Sequence, residues 1–488
     1  MAPLLLAIDI GTSSSRTALF DETGQRILDS TAQQTYPLTT SSDGTAEMDP
    51  ARLLLAIRNC LAQTLHFARN EPSLRSRKIS GIGVSCFWHS LLGTDADGNP
   101  LTPVITWADA RCREDAAALR QSLSERAVHA RTGCMIRSSF WPAKLVWLRR
   151  TDPSLFKRVK RWVSPADWLQ QTLLGNAHCA LGMATGTGLF NPTKLDWDGS
   201  LLEHCHIDAA QLLPVTDEPL PVSGKLAAEF HELAGVPWFP AIGDGAASNL
   251  GSGCTKPGLA AINVGTSAAL RIMRSGKTAK APFGLFCYRV DADRFLVGGA
   301  VSNAGNLRAW CLRELRTESP DTLESLLADR PGPDHGLTVL PFWTTERAPT
   351  WNEDIQGSIL GITQATTATD LLQAITEATY HRLALIAELL ISKTKEAPQF
   401  FVSGGIQNSQ TALQRLADVL DHPLYANPEP EASIRGAAVF AMEKLALPVD
   451  PLPVPAPLLP RPAAASAYRD ARKKQMALER LLERQLRK

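Results

Sequence analysis

The chain has almost no excess of charge of either sign: 50 basic residues face 49 acidic ones, for a formal net charge of +1. No global field recruits nucleic acid or an anionic membrane, so small-molecule chemistry is the better expectation. Paired cysteines are lacking as well. The nine cysteines are scattered from Cys60 to Cys311 without a CxxC pair, which argues against a disulfide framework or zinc ribbon and for a reducing compartment. The N-terminus has no long hydrophobic run. Its apolar stretch, Leu4 to Ile8, stops at Asp9 with no basic region ahead of it; it reads as neither a signal peptide nor a membrane span, and a cytoplasmic protein is expected.

Two common nucleotide motifs are also missing. Gly276-Lys277-Thr278 resembles the end of a P-loop, but Arg271 stands where that motif needs its first glycine. GDGAAS, Gly243 to Ser248, nearly spells a dinucleotide fingerprint, yet it sets a carboxylate between the glycines, where a pyrophosphate would be repelled. His204-Cys205-His206 has metal-like composition with no further ligands at usable spacing, and reads as a surface turn.

What is present is an internal echo. AIDIGTSSSR at Ala7 to Arg16 recurs as AINVGTSAAL at Ala261 to Leu270, near the midpoint of 488 residues, so two similar mixed α/β halves are implied. In each copy an apolar stretch enters Gly-Thr-Ser and another leaves it, which predicts a hairpin with those residues at its tip. Further turns are predicted at Asp21 to Gly24 and Asp95 to Asn99, and helices over Ala368 to Ile391, Gln410 to Leu420 and Ser433 to Leu445. The Gly- and Ser-rich stretch around Gly245 to Thr255 is expected to be the junction of the halves and a hinge. This divides the chain into 1–248, 249–446 and a tail, 447–488. The tail is a proline-dense linker followed by a helix-like segment with eight basic and three acidic residues between Ala465 and Lys488, expected to be a solvated helix packed by its Leu and Met positions, with a clamp on the body or a partner contact as the functional alternative.

Glycine and hydroxyl residues at two facing tips offer backbone N–H groups and side-chain donors to a polyphosphate. Asp9 in the first copy is Asn263 in the second, so one side alone carries a carboxylate suited to a hydrated Mg²⁺. Arg16, just past the first tip, is a candidate phosphate contact. Asp244 lies between Gly243 and Gly245, which should let the backbone turn sharply and leave the carboxylate unhindered as a base, although such an Asp can equally close a turn. Trp88 and His89 pair a stacking surface with a hydrogen-bonding imidazole, as polyol binding needs, or are simply core.

These residues resemble the FGGY carbohydrate kinases over about Leu4 to Leu445. The resemblance is carried by IDIGTSSSR, GIGVSCFWHSL, TWADAR (Thr106 to Arg111), WPAKLVWL (Trp141 to Leu148), GDGAASNLG, INVGTS, PFWTTERAPTWNEDIQGSILG (Pro341 to Gly361), VSGGIQNS and EASIRGAA. It implies two actin-like, ribonuclease-H-like ATPase domains around a cleft, with sugar mainly on the N-terminal domain and nucleotide on the C-terminal one. It implies ATP and Mg²⁺ as cofactors, a small sugar as the other partner, no nucleic acid or membrane, and it allows a homodimer. By the same resemblance Asp244 matches the general base and Asp9 the carboxylate near metal and phosphates. Thr12, Ser13, Ser14, Arg16, Gly265 and Thr266 fall at the phosphate-binding tips; Gly305, Gly404, Gly405 and Ser409 fall in nucleotide-binding turns; Trp88 and His89 match the pair that contacts sugar.

TPVITWADAR, ATGTGLFNPTKLDWD (Ala184 to Asp198), and FCYRV with GGAVSNAGN (Phe286 to Asn306) look most like the gluconokinase branch, so D-gluconate is the expected acceptor, with a pentulose such as xylulose, or another polyol, as the alternative. A sugar-sensing protein without catalysis is the rival from another class. A gluconate pocket must compensate a desolvated carboxylate, and His89, Lys144 and Arg111 are the candidate groups.

Overall fold

The computed structural model describes residues 2–330, 332–392 and 396–486. Its N-terminal half is built on the strand Leu4–Ile10, every residue of which is buried. That strand pairs antiparallel with Ser14–Phe20, which pairs antiparallel with Ala32–Thr35; on its other edge it runs parallel to Ile79–Cys86. The short strands Pro237–Trp238 and Leu220–Pro221 continue the sheet, and Ile242–Gly243 also pairs with Ile79–Cys86. A strand buried on both faces reads as a continuous apolar run, and LLLAIDI does until Asp9.

The second sheet repeats the plan. Leu259–Val264 pairs antiparallel with Ala268–Ser275, which pairs with Arg294–Val301 and then Phe286–Arg289, while Gln399–Ser403 and Leu424–Ala426 add parallel strands on the other side. The sequence echo is thus a duplicated hairpin in equivalent places. In the first hairpin Asp9 faces Arg16 across the ladder, and in the second Asn263 faces Ala269. The tips close through Gly11 N–H to Ser14 O and Gly265 N–H to Ser267 O, each 2.9 Å.

The helices expected over Ala368–Ile391 and Gln410–Leu420 span those residues, and the third spans Ala432–Lys444. Thr367 and Asp370 form a capping box that starts the first of them. The turns at Asp21 and Asp95 close by backbone bonds to Gln25 and Asn99. The expected Gly- and Ser-rich hinge differs: Asp244–Gly251 is a helix, buried from Gly245 onward.

This helix crosses Ala432–Lys444 backbone against backbone. A Cβ on Gly251 would lie 1.8 Å from Ala432 O, and one on Gly436 1.8 Å from Ala247 O, so the small residues there set the approach rather than loosen a loop. Ala432–Lys444 also lies on the N-terminal sheet, where a Cβ on Gly83 would meet Ala437 O at 1.9 Å. The two halves are joined by this helix pair, and one apolar cluster runs through both. The C-terminal segment forms the helix Pro462–Leu486. All nine cysteines are free and buried.

Candidate active site

Two cavities adjoin the hairpin tips, the smaller lined by both halves and the larger by the C-terminal half alone. The smaller, about 150 Å³, takes Thr12 from the first tip and Ser267 from the second, and is completed by Trp88, His89, Trp107, Asp244, Arg271, Phe286, Tyr288 and Arg347. The larger, about 530 Å³, is lined by Gly265, Thr266, Gly305, Gly405 and Ser409, with Arg308, Thr376, Tyr380 and Ile406 among its other walls. The two tips therefore converge, with Ser267 on one cavity and its neighbour Thr266 on the other.

Asp244 begins its helix directly after the strand Ile242–Gly243, which places the carboxylate at the sheet's end. Its Oδ1 accepts from Gly245 N–H at 2.7 Å. Burial pushes the carboxyl above the ordinary aspartate range and Asp9 adds to the push, while Arg271, the Gly245 N–H and Arg347 pull the other way. The flanking glycines act differently from the expected sharp turn. Gly243 has ordinary extended dihedrals (φ −67°, ψ 147°); what it supplies is space for the Trp88 ring, which fills the volume a side chain would need at Gly186, Gly243 or Gly245.

Trp88 is buried, donates Nε1–H to Gly182 O at 3.0 Å, and packs on Tyr288 with centroids 4.8 Å apart. His89 takes a left-handed backbone (φ 66°) and its Nδ1 donates to Gly186 O at 2.5 Å. Burial lowers its pKa to about 3. The ring is therefore neutral at physiological pH, with Nε2 left as an acceptor.

None of the three residues expected to meet a substrate carboxylate supplies an available charge in the small cavity. His89 is uncharged. Lys144 is fully buried, lines neither cavity, and donates to His89 O at 3.0 Å and Ser139 O at 2.6 Å; burial lowers its pKa to about 8. Arg111 is held by Asp109 and Glu47 and covers the Trp147 ring, away from both cavities.

The charge comes from two arginines that sequence reasoning missed. Arg271 has no hydrogen-bond or ion-pair partner among the described residues, and its Nε is buried without one. Arg347 donates Nε–H to Ser302 Oγ at 3.0 Å and lies 5.2 Å from the centroid of the Trp107 ring. Burial and the neighbouring Arg271 lower its pKa to about 10, so it stays charged. Arg271 carried a signal in being a cation set among buried apolar residues of its strand, read only as a missing P-loop glycine, and Arg347 lay unweighed inside PFWTTERAPTW.

At the first tip Asp9 is 3% exposed and receives Arg16 Nη2–H at 2.8 Å, while Arg16 also pairs with Glu431. Arg16 thus faces carboxylates on both sides rather than open phosphate space. Thr12 Oγ1 accepts from Trp107 Nε1–H at 3.1 Å. Ser13 and Ser14 line neither cavity; Ser13 is exposed, and Ser14 Oγ accepts from Gln33. In the C-terminal half, a Cβ on Gly305 would lie 2.4 Å from Gly265 O. Gly404 (φ 92°) packs on Val264 O behind the large cavity, a position that suits only glycine. Ser409 Oγ caps the helix Gln410–Leu420 and donates to Glu324. His204-Cys205-His206 ends a short helix, with Cys205 buried, and the described residues hold no group of three metal-ligating side chains. No helix among them is long and apolar enough to cross a membrane.

Duplicated halves, with a carboxylate and two arginines in one cavity and a larger cavity beyond the second tip, have the plan of a two-domain α/β enzyme with separate sites for two small ligands. The models of the N-terminal and C-terminal domains of the FGGY family of carbohydrate kinases match residues 4–251 and 260–444, and the chain belongs to that family. It is 28% identical to the gluconokinase of Bacillus subtilis (strain 168) over 459 residues, 91% of this chain and 88% of that one. Crystal structures of a gluconate kinase and of a ligand-bound xylulose kinase, both from Lactobacillus acidophilus, each superpose with a TM-score of 0.89 at 24% identity, covering 99% of this chain and 98% of theirs. At that identity they show the fold, and they do so equally for the two sugars.

Proposed function

We propose that this kinase transfers the γ-phosphoryl group of ATP to the primary hydroxyl of D-gluconate, giving 6-phosphogluconate. The observation that carries the substrate is the charge of the small cavity, where Arg271 and Arg347 outnumber the single carboxylate, Asp244. A neutral polyol leaves that excess uncompensated in a partly desolvated pocket, whereas a sugar acid answers it with a charge-assisted pair. The likeness to a Bacillus gluconokinase points the same way.

Asp244 takes the proton of the attacking hydroxyl, and its raised pKa makes it the stronger base. His89 Nε2 accepts from a sugar hydroxyl, and the Trp88, Trp107 and Tyr288 rings confine the open chain. The large cavity holds ATP, with adenosine toward Gly405 and Tyr380 and the phosphates toward Gly265 and Thr266. In-line transfer then depends mainly on positioning, since phosphoryl transfer leaves little covalent work to the protein. Asp9, a carboxylate beside the first tip with one oxygen held by Arg16, is the residue that would hold a hydrated Mg²⁺ through water. When bound, that cation offsets charge on the phosphate oxygens.

Steady-state assays with Mg-ATP test the substrate. Gluconate's kcat/KM should exceed those of xylulose and glycerol by at least about tenfold, ~1.4 kcal/mol in transition-state binding. Xylulose or glycerol turned over equally well would overturn gluconate and leave the kinase intact.

A further inference from the structure

The C-terminal helix Pro462–Leu486 reaches the loop that carries Arg347. Its Leu478 and Leu482 pack against Leu340, Phe342 and Ile355, which lie on both sides of that loop. One helix turn is committed to a buried polar cluster: Glu479 Oε2 accepts from Arg382 Nη1–H at 2.6 Å, and Glu479 Oε1 accepts from the Thr350 hydroxyl at 2.9 Å. Arg382 is fully buried; it donates Nε–H to Glu346 Oε1 and Nη2–H to Thr350 Oγ1, each at 2.9 Å. Glu346 and Thr350 flank Arg347 in sequence. One turn further on, Glu483 Oε1 accepts from Asn352 Nδ2–H at 3.1 Å. The loop's far end is tied to the N-terminal half through Glu353, which receives Arg120 at 3.1 Å and Ser138 at 3.2 Å.

We propose that Glu479 is a positioning residue for the acceptor cavity: through Arg382 and Thr350 it fixes the loop 346–353 and so the place of the Arg347 guanidinium. Arg347 itself makes one neutral hydrogen bond, to Ser302, and a long one of 3.3 Å to Val301 O; the flanking backbone must therefore aim it. Glu346 alone could neutralise Arg382, but Thr350 donates only to Glu479, and its loss frees the loop on the C-terminal side of Arg347. A buried donor left without an acceptor drives such a rearrangement. The basic tail, set aside as a solvated helix, thereby becomes part of the substrate site.

The inference rests on reading the small cavity as the acceptor pocket, whatever sugar fills it. The test uses the full chain and the sugar that the wild-type enzyme turns over best, so that failure of gluconate as a substrate is scored separately. Glu479→Leu, which leaves the Thr350 hydroxyl without its acceptor, should raise the acceptor KM about fivefold or more and leave the ATP KM within about twofold. Arg347→Gln should raise the acceptor KM at least as much, and the double variant should be no worse than Arg347→Gln alone, since the two changes remove one function. Should Glu479→Leu fail to fold, Glu479→Ala, which also lacks an acceptor, carries the same readouts. An unchanged acceptor KM in the Glu479 variant or in Arg347→Gln, an equal rise in both KM values, or effects that multiply in the double variant would overturn the proposal.

Discussion

A Cβ atom built on Gly243 would lie 1.7 Å from Cε2 of Trp88, within the indole ring itself. The GDG sequence is therefore matched to the tryptophan on another strand end, and Asp244, the proposed base, sits between the two glycines that this ring packs against. Gly243→Ala should displace the ring and destabilise the protein by about 1–3 kcal/mol, the usual cost of overpacking. Trp88→Met in the same chain should recover part of the loss. Chemical denaturation of the two single variants and the double variant measures the coupling, and strict additivity would mean that the ring and the glycine do not compete for space.

Asp244→Asn keeps the size of the side chain and removes the proposed base. Turnover should fall by about 10²–10⁴-fold while ATP and sugar binding stay close to wild type. Rates within a few-fold of wild type would take Asp244 out of the role.

Arg271 lowers the pKa of Asp244 and, in the proposed reading, meets the substrate carboxylate. Arg271→Gln should cut kcat/KM for gluconate by tenfold or more and affect a neutral pentulose less. The same change should move the acid limb of the pH–rate profile upward, because losing a nearby cation favours the protonated carboxyl. A limb that stays in place or moves downward contradicts the electrostatic contact.

His89 and His381 are buried, and burial lowers each pKa from 6.5 to about 3. The unfolded chain takes up protons on these rings as pH falls below 6.5, whereas the folded chain does not until about 3. Their contribution to stability is complete above 6.5 and is lost as pH falls through that window, at about 2 kcal/mol per ring between pH 7 and pH 5. Urea midpoints at the two pH values check this, and His381→Gln should lose less stability on acidification than wild type by about that amount. An equal loss would show that His381 is not the group involved.

How much was legible in the residues depended on whether the signal was local. The hairpin tips, the helices Ala368–Ile391 and Gln410–Leu420 and the turns at Asp21 and Asp95 could be read because periodicity and turn chemistry act over a few neighbours. The duplicated Gly-Thr-Ser and the difference between Asp9 and Asn263 were equally open to view, since repetition is a property of the string. Asp244, His89 and Trp88 were identified as candidates, but not their manner of working. Gly243 looked like a turn residue because nothing local shows the Trp88 ring, from far earlier in the chain, pressed against it.

Contacts across long separations were decided by tertiary structure alone. Arg111 and Lys144 carry charges that suit a sugar acid, yet folding gives Arg111 to Asp109 and Glu47 and turns Lys144 onto backbone carbonyls. It leaves Arg271 without a partner inside the cavity instead. The sign of a side chain is written in the sequence, but whether that charge is neutralised or available depends on which groups the fold brings within a few ångströms, because Coulomb attraction and desolvation follow distance in space and not along the chain.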